Sequence, residues 1–162
     1  MSVPKLIVFD LDFTLWDCGG LWVDCTSYPF ETLPNGTIVD RENRGMRLYE
    51  EVTDILDHVD QLGIPMALAS RTGRPDWARD LLDRFEIRKR FAFEEIFPSS
   101  KVQHFSRLNA DSGYEFEEML FFDDERRNIV DVGALGVKCV EVSRGVDDSS
   151  FRSGMELFET ET

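Results

Sequence analysis

The sequence predicts an α/β fold, in which a doubly wound parallel sheet forms the middle of three Rossmann-like layers. Short apolar runs at 6–9, 66–69, 95–97, 119–122 and 137–142 are continuous rather than alternating, which is typical of strands buried on both faces. Segments with helical spacing of apolar residues separate these runs from about residue 49 onward. This alternation of strand and helix favours parallel strands joined by right-handed crossovers.

The helices follow from apolar spacing and from residues that begin or end helices. One apolar stripe extends from Val52 to Leu62 and ends before Gly63. Pro75 precedes a second helix, which the spacing predicts over 76–85. A third helix is predicted to begin near Lys101, a fourth to extend over about 126–135, and a fifth to occupy the C-terminal segment.

Residues 17–45, called the insertion below, interrupt the alternation directly after the first strand. They lack a helical period, and Asn35-Gly36 between two extended runs is a strong hairpin signal because both residues tolerate positive φ. No repeat, low-complexity tract or linker divides the chain. We therefore expect residues 1–162 to form a single domain with a small β-hairpin cap inserted after the first strand.

Composition excludes several functional classes. The 162 residues include 18 Lys+Arg and 32 Asp+Glu, for a net charge of −14, which argues against binding nucleic acid or an anionic membrane. The three cysteines form no C-x-x-C pair, which argues against a disulfide framework or a zinc site. None begins a C-x5-R phosphate loop, so cysteine-based phosphatase chemistry is excluded. The first apolar run is too short for a signal sequence, and we expect a cytoplasmic monomer.

Asp10 and Asp12 follow the first apolar run and form the strongest motif. In an extended chain, residues two apart point to the same side, so both carboxylates lie at the carboxyl end of the strand, where open parallel sheets bind ligands. Their repulsion raises the pKa of one carboxyl unless a cation intervenes. The functional interpretation is one nucleophile and one proton-transfer group; the alternative is a pair of turn-forming acids. An EF-hand calcium loop is excluded, because Leu15 and Leu21 occupy the positions where such a loop needs Gly and Glu.

Three further motifs follow later predicted strands. Ser70 and Arg71 offer a hydroxyl and a guanidinium to a phosphoryl group, although such residues also cap helices. Lys101 at a helix start opposes the helix dipole, which indicates a nearby anion unless it is an ordinary surface lysine. Asp123 and Asp124 end a buried strand, where two acids favour Mg2+ over the alternative of helix-capping acids.

The order D-x-D-x-T, Ser/Thr, Lys and Asp-Asp resembles the haloacid dehalogenase superfamily over essentially the whole chain. Segments 8–16, 69–72, 101–105 and 121–133 resemble its eukaryotic magnesium-dependent phosphatase family, an acid phosphatase-like group with a minimal cap. Response-regulator receivers share the fold but place the acidic pair first in the chain. Dehalogenases proper are disfavoured because Asp12 and Thr14 match the phosphatase form of the first motif.

The resemblance implies a site for each motif. Asp10 would attack phosphorus and form an aspartyl-phosphate, while Asp12 would protonate the leaving group and then activate water. Mg2+ would be held by the Asp10 carboxylate, the backbone carbonyl of Asp12, and Asp123, with Asp124 close by. Substrate phosphate would contact a further group of residues, namely Thr14, Ser70, Arg71 and Lys101. The charges of these residues support a bound Mg2+, because four carboxylates and one lysine would repel phosphate without a divalent cation.

The size of the insertion bears on the substrate. About thirty residues cannot form a large helical lid, so we expect an open site that admits a phosphorylated small molecule or phosphoprotein. The resembled family acts on phosphotyrosine, aryl phosphates and fructosamine 6-phosphates. Trp16 and Trp22 are candidates to stack on a substrate ring, with packing in a small local core as the alternative. The predicted function is a Mg2+-dependent phosphomonoesterase; the alternative is a non-catalytic phosphoprotein-binding module.

Overall fold

The computed structural model describes residues 2–159, which form a five-stranded sheet flanked by helices and a smaller second sheet. The elements in chain order are β1 (Leu6–Phe9), β2 (Trp16–Cys18), β3 (Glu31–Thr32), β4 (Ile38–Val39), β5 (Gly45–Leu48), α1 (Val52–Leu62), β6 (Met66–Ser70), α2 (Pro75–Arg84), β7 (Phe91–Ile96), α3 (Lys101–Ser112), β8 (Met119–Asp123), α4 (Arg126–Gly133), β9 (Lys138–Glu141) and α5 (Asp148–Glu159). Short 3-10 turns occur at Val23–Cys25, Arg88–Arg90 and Phe116–Glu118.

The larger sheet is parallel and has the order β7-β6-β1-β8-β9. Strand β1 is central, with Val8 opposite Ala67 of β6 on one side and Phe121 of β8 on the other. The chain reverses its direction of travel across the sheet at β1, so the carboxyl ends of β6, β1 and β8 meet at the switch point where such sheets bind ligands. The predicted α/β fold class is confirmed.

Helices cover both faces of this sheet because each buried strand offers alternate side chains to either side. Ile7 and Phe9 of β1 belong to the core that α1, α2 and α5 cover, whereas Leu6 and Val8 belong to the core that α3 and α4 cover. The helices therefore supply the two outer layers that the sequence predicted. Strand β7 begins earlier than the predicted run at 95–97. The sequence did not indicate this earlier start, because partly exposed residues of this edge strand obscure the apolar pattern.

The insertion contributes most of an antiparallel sheet with the order β2-β5-β4-β3, which extends beyond the predicted bounds to Trp16 at one end and Leu48 at the other. The hairpin predicted at Asn35-Gly36 is present, with Thr32 opposite Ile38. Gly36 has a positive φ of +90°, as the motif predicts, but Asn35 does not. The Asn35 side chain accepts a hydrogen bond from the Thr37 amide. The sequence did not predict β2 and β5, because these short strands lack a clear alternating pattern and are defined by pairing with each other. Among residues 2–159, each helix falls short of the length and apolarity that crossing a membrane requires.

Candidate active site

One cavity of about 420 Å³ lies at the carboxyl ends of β1, β6 and β8. The parallel register brings the end of each strand to this edge, and the first residue of α3 reaches it from the side. The cavity is lined by Asp10, Asp12, Trp22, Asp24, Ser70, Arg71, Thr72, Lys101, Asp124, Glu125, Arg127 and Asn128. Motifs that are far apart in the sequence thus meet at a single place.

Three carboxylates form a cluster at the base of this cavity. One oxygen from each of Asp10, Asp123 and Asp124 lies within 4.8 Å of the others. Burial raises the pKa of Asp123, and the negative charge of Asp10 raises it further. Burial also raises the pKa of Asp124 to about 9, with contributions from both other acids. The three carboxyls therefore resist being ionised together unless more positive charge is present.

Lys101 supplies one positive charge to this cluster. The residue is only 2% exposed, and Nζ lies 2.9 Å from Asp10 Oδ1 and 3.1 Å from Asp123 Oδ2. Nζ also donates to the Ala69 carbonyl at 2.5 Å. Burial by itself would lower the pKa of Lys101, but the two carboxylates raise it overall, so the amine stays protonated. The unfavourable position of this lysine at the start of α3 is thus offset by its anionic partners.

Asp12 lies beside the cluster in a different environment. Its Oδ1 accepts hydrogen bonds from Trp16 Nε1 at 2.8 Å and from the Val23 amide at 3.0 Å. Burial raises the pKa of Asp12 to about 7, with the charge of Asp10 adding to the rise and these hydrogen bonds opposing it. A carboxyl with a pKa near neutrality is suited to giving and taking protons.

Thr14 and Trp16, both expected to contact substrate, are instead fully buried. The Thr14 hydroxyl donates to Asp10 Oδ2 at 3.2 Å, and the Trp16 indole donates to Asp12. The reason is the tight turn after β1, in which Phe13 has a φ of +62° and the chain folds back toward the strand end. Neither side chain therefore lines the cavity; each hydrogen bonds to one of the two leading aspartates, and for Trp16 the structure agrees with the alternative of local packing.

Three other predicted residues do reach the cavity. Ser70 lies at the end of β6, and its Oγ accepts a hydrogen bond from the Thr72 amide at 3.3 Å. Arg71 is exposed and donates to Asn128 Oδ1 at 3.4 Å, and it forms no ion pair with a carboxylate of residues 2–159. Trp22, which is 54% exposed, presents its ring to the cavity from the insertion.

Sequence reasoning missed several cavity residues. Asn128 donates from Nδ2 to Asp123 Oδ2 at 3.1 Å, and the Glu125 amide donates to Asp123 Oδ1 at 2.8 Å. The position of Asn128 in the first turn of α4 could have indicated that it faces back toward the strand end. Asp24 and Thr72 also line the cavity, but no pattern in the insertion distinguished Asp24 from other polar residues.

Comparison with known proteins identifies relatives over nearly the whole chain. The model of the Acid Phosphatase family matches residues 2–161. Human Magnesium-dependent phosphatase 1 is 45% identical over 157 residues, which cover 96% of this chain and 88% of the relative. A HAD-like hydrolase superfamily protein of Schizosaccharomyces pombe is 34% identical, and the match covers 87% of each chain.

Solved structures with low sequence identity share the fold. A HAD-superfamily hydrolase from Ehrlichia chaffeensis has a TM-score of 0.67 at 14% identity, covering 97% of each chain. The N-terminal part of a Bacteroides fragilis protein, containing a phosphatase domain complexed with Mg, has a TM-score of 0.65 at 19% identity, covering 99% of this chain and 42% of that one. The family model and the human relative both match nearly the whole chain, and the sheet order and strand-end acids agree with them. The chain therefore belongs to the acid phosphatase family of haloacid dehalogenase-like hydrolases.

Proposed function

We propose that this chain is a magnesium-dependent phosphomonoesterase in which Asp10 is the nucleophile. The observation that supports it most directly is the cluster of Asp10, Asp123 and Asp124, of which Asp10 and Asp123 pair with the Lys101 amine. Membership of the acid phosphatase family supports the same reaction class. A non-catalytic role would not need a nucleophile, a proton-transfer group and a buried cation together.

The residues present fit Mg2+. The cluster offers only carboxylate oxygens, which are the hard ligands that this ion prefers. One oxygen from each of the three carboxylates lies within 4.8 Å of the others, so the three groups face a common point that a small cation would occupy. The human relative is named as magnesium-dependent, which supports the assignment. When bound, the ion would offset carboxylate charge and polarise a phosphoryl oxygen.

Asp10 and Asp12 divide the covalent chemistry. An Asp10 oxygen attacks phosphorus, forming an aspartyl-phosphate while the bond from phosphorus to the ester oxygen breaks. Asp12, protonated for part of the time at neutral pH, gives its proton to the departing oxygen. It then takes a proton from water, whose oxygen attacks the phosphorus of the intermediate and releases phosphate and ionised Asp10. Hydrogen bonds from Lys101 and Thr14 orient the Asp10 carboxylate for the first step.

The remaining polar groups hold the transferring phosphoryl group. Ser70 and Arg71 offer a hydroxyl and a guanidinium at the end of β6, and Lys101 balances charge beside Asp10. Arg71 is available for this task because it lacks a carboxylate partner within residues 2–159. Such positioning and neutralisation are most of what phosphoryl transfer asks of a protein.

We propose aryl phosphates, including phosphotyrosine, and fructosamine 6-phosphates as the substrate classes. The exposed Trp22 ring supports this proposal, because it can stack on an aryl ring or on the apolar face of a sugar. Comparing a phosphotyrosine peptide with a fructosamine 6-phosphate by kcat/KM ranks these classes.

Hydrolysis of para-nitrophenyl phosphate by the purified chain tests the reaction. We expect turnover with Mg2+ and none with EDTA, and trapping of a phosphorylated protein that Asp10→Asn does not form. Binding of a phosphotyrosine peptide without turnover would instead support the phosphoprotein-binding module.

A further inference from the structure

Asp24 connects the insertion to the loop that follows Ser70. It lies in the 3-10 turn Val23–Cys25. Its Oδ1 accepts a hydrogen bond from the Thr72 hydroxyl, and its Oδ2 accepts one from the Gly73 amide at 2.8 Å. Both donors belong to residues 71–74, called the β6–α2 loop below. One carboxylate therefore holds two adjacent residues of a segment that is 48 positions away in the sequence.

The β6–α2 loop depends on side chains for its shape. The amides of Thr72, Gly73 and Arg74 all donate to side-chain oxygens, at 3.3, 2.8 and 3.0 Å, rather than to a strand or helix. The acceptors are Ser70 directly before the loop, Thr72 within it, and Asp24 of the insertion. Because the Thr72 hydroxyl that accepts from Arg74 also donates to Asp24, the carboxylate orients the bonds that the Gly73 and Arg74 amides donate.

The close approach of the two segments indicates a specific contact. A Cβ atom placed on Gly73 would lie 3.2 Å from Asp24 Oδ2, so a larger residue there would require the carboxylate to shift by a few tenths of an ångström. The same 3-10 turn also contacts the proton-transfer group, because the Val23 amide donates to Asp12. Two neighbouring residues of the insertion therefore touch two different parts of the cavity.

The charge of Asp24 is unfavourable beside a phosphate site, which indicates that its hydrogen bonds to the loop contribute to function. The side chain lines a cavity proposed to bind phosphate, in a protein whose net charge is −14. A further negative charge there weakens the binding of an anion, so it is unfavourable unless it is offset. A carboxylate accepts hydrogen bonds from two donors more strongly than a neutral side chain does, which is the compensation that the geometry shows.

We propose that Asp24 is a positioning residue, which holds the β6–α2 loop and its neighbour Ser70 in the conformation that binds the transferring phosphoryl group. This inference rests on the proposed function for the identity of the ligand. It adds that the insertion is part of the phosphate-binding apparatus, since the loop takes its shape from a side chain of that segment.

Asp24→Ala, compared with Asp17→Ala, tests the proposal. Asp17 is a matched control in β2, because it also accepts from a backbone amide, that of Gly20 at 2.7 Å, and from an arginine, Arg47 at 3.3 Å. With para-nitrophenyl phosphate we expect Asp24→Ala to lower kcat/KM about 30-fold, with a raised KM, and Asp17→Ala to lower it less than about 2-fold. Inorganic phosphate should inhibit Asp24→Ala more weakly than the wild type.

Substitutions of Thr72 test whether Asp24 acts through this loop. Thr72→Ser keeps the hydroxyl and should retain activity, whereas Thr72→Val should lose about as much as Asp24→Ala. The double variant should lose little more than either single variant, because both remove the same contact. Losses that multiply would contradict the proposal. Asp24→Asn, which preserves the shape of the side chain, gives an intermediate loss and serves if Asp24→Ala does not fold.

Hydrogen–deuterium exchange separates this inference from the proposed function. Asp24→Ala should increase exchange at the amides of 72–74 at least about 10-fold, without a matching change in Asp17→Ala. If the wild type hydrolyses no phosphate ester, the proposed function fails and the exchange result still tests the contact. Unchanged exchange, or faster exchange with wild-type kcat/KM and phosphate inhibition, would overturn the positioning role.

Discussion

The edge of the parallel sheet and the insertion contribute to the same cavity in opposite ways. Asp10, Lys101 and Asp123 at the sheet edge are buried, and both aspartates are bonded to the lysine, so their charges interact strongly. Trp22 and Asp24 of the insertion are exposed and face the cavity from its other side. The difference indicates that the sheet edge supplies the reacting and charged groups, whereas the insertion supplies substrate contact and loop orientation.

The energetic consequences differ as well. At the sheet edge, burial and repulsion raise the pKa of Asp124 to about 9, so this region is sensitive to any change of charge. Contacts of the insertion are hydrogen bonds and ring packing, such as the stacking of Tyr28 on Trp77 of α2 with centroids 5.1 Å apart. We therefore expect large effects on rate from the sheet edge and smaller effects on substrate binding from the insertion.

The largest expected effect tests the sheet edge alone. Asp10→Asn should lower kcat by at least about 1000-fold, because an amide is a poor nucleophile. The melting temperature should not fall, since the substitution removes one charge from a repelling cluster. Steady-state kinetics and thermal unfolding measure the two quantities. Residual activity above a few per cent of wild type would place the nucleophile elsewhere.

Removing Mg2+ should have the next largest effect. Chelation should reduce turnover more than about 100-fold. Mg2+ at 100 times its Kd should stabilise the fold by about 2.7 kcal/mol. Asp123→Asn should abolish that stabilisation, and Asp17→Asn in the insertion should keep it, as thermal unfolding with and without Mg2+ shows. Equal stabilisation of both variants would contradict a site at the sheet edge.

Lys101→Met should separate charge from packing. The side chain keeps its length but leaves Asp10 and Asp123 without their shared cation, so kcat should fall about 100-fold. Without Mg2+ the variant should have a lower melting temperature than the wild type. Adding Mg2+ should raise the melting temperature of the variant by more than it raises that of the wild type. A Lys101→Met variant whose melting temperature is the same with and without Mg2+ would contradict this electrostatic account.

The two tryptophans provide the smallest and sharpest comparison. Trp22→Ala should raise KM for an aryl phosphate about tenfold with little change in kcat, because only stacking is lost. Trp16→Phe should lower kcat about tenfold with little change in KM, because the bond to Asp12 is lost. A variant of Trp16 that alters KM alone would return that residue to the substrate-binding role first expected for it.

Much of the sheet edge was predictable because strand ends are visible in sequence. A continuous apolar run marks a buried strand, and the first polar residues after it mark the carboxyl end, which is how Asp10, Ser70 and Asp123 were found. The insertion was less predictable. Its hairpin follows from Asn35-Gly36, but Trp16 and Trp22 look alike in sequence, and the structure buries one and exposes the other.

The amino-acid order was enough to establish the strand and helix alternation and the polar residues that gather at one edge, because parallel geometry converts order along the chain into proximity. Folding in three dimensions assigned Thr14 and Trp16 to support Asp10 and Asp12, and joined Asp24 to Thr72 and Gly73. These contacts arise from a tight turn and from an irregular segment, where no period relates a residue to the face that it occupies.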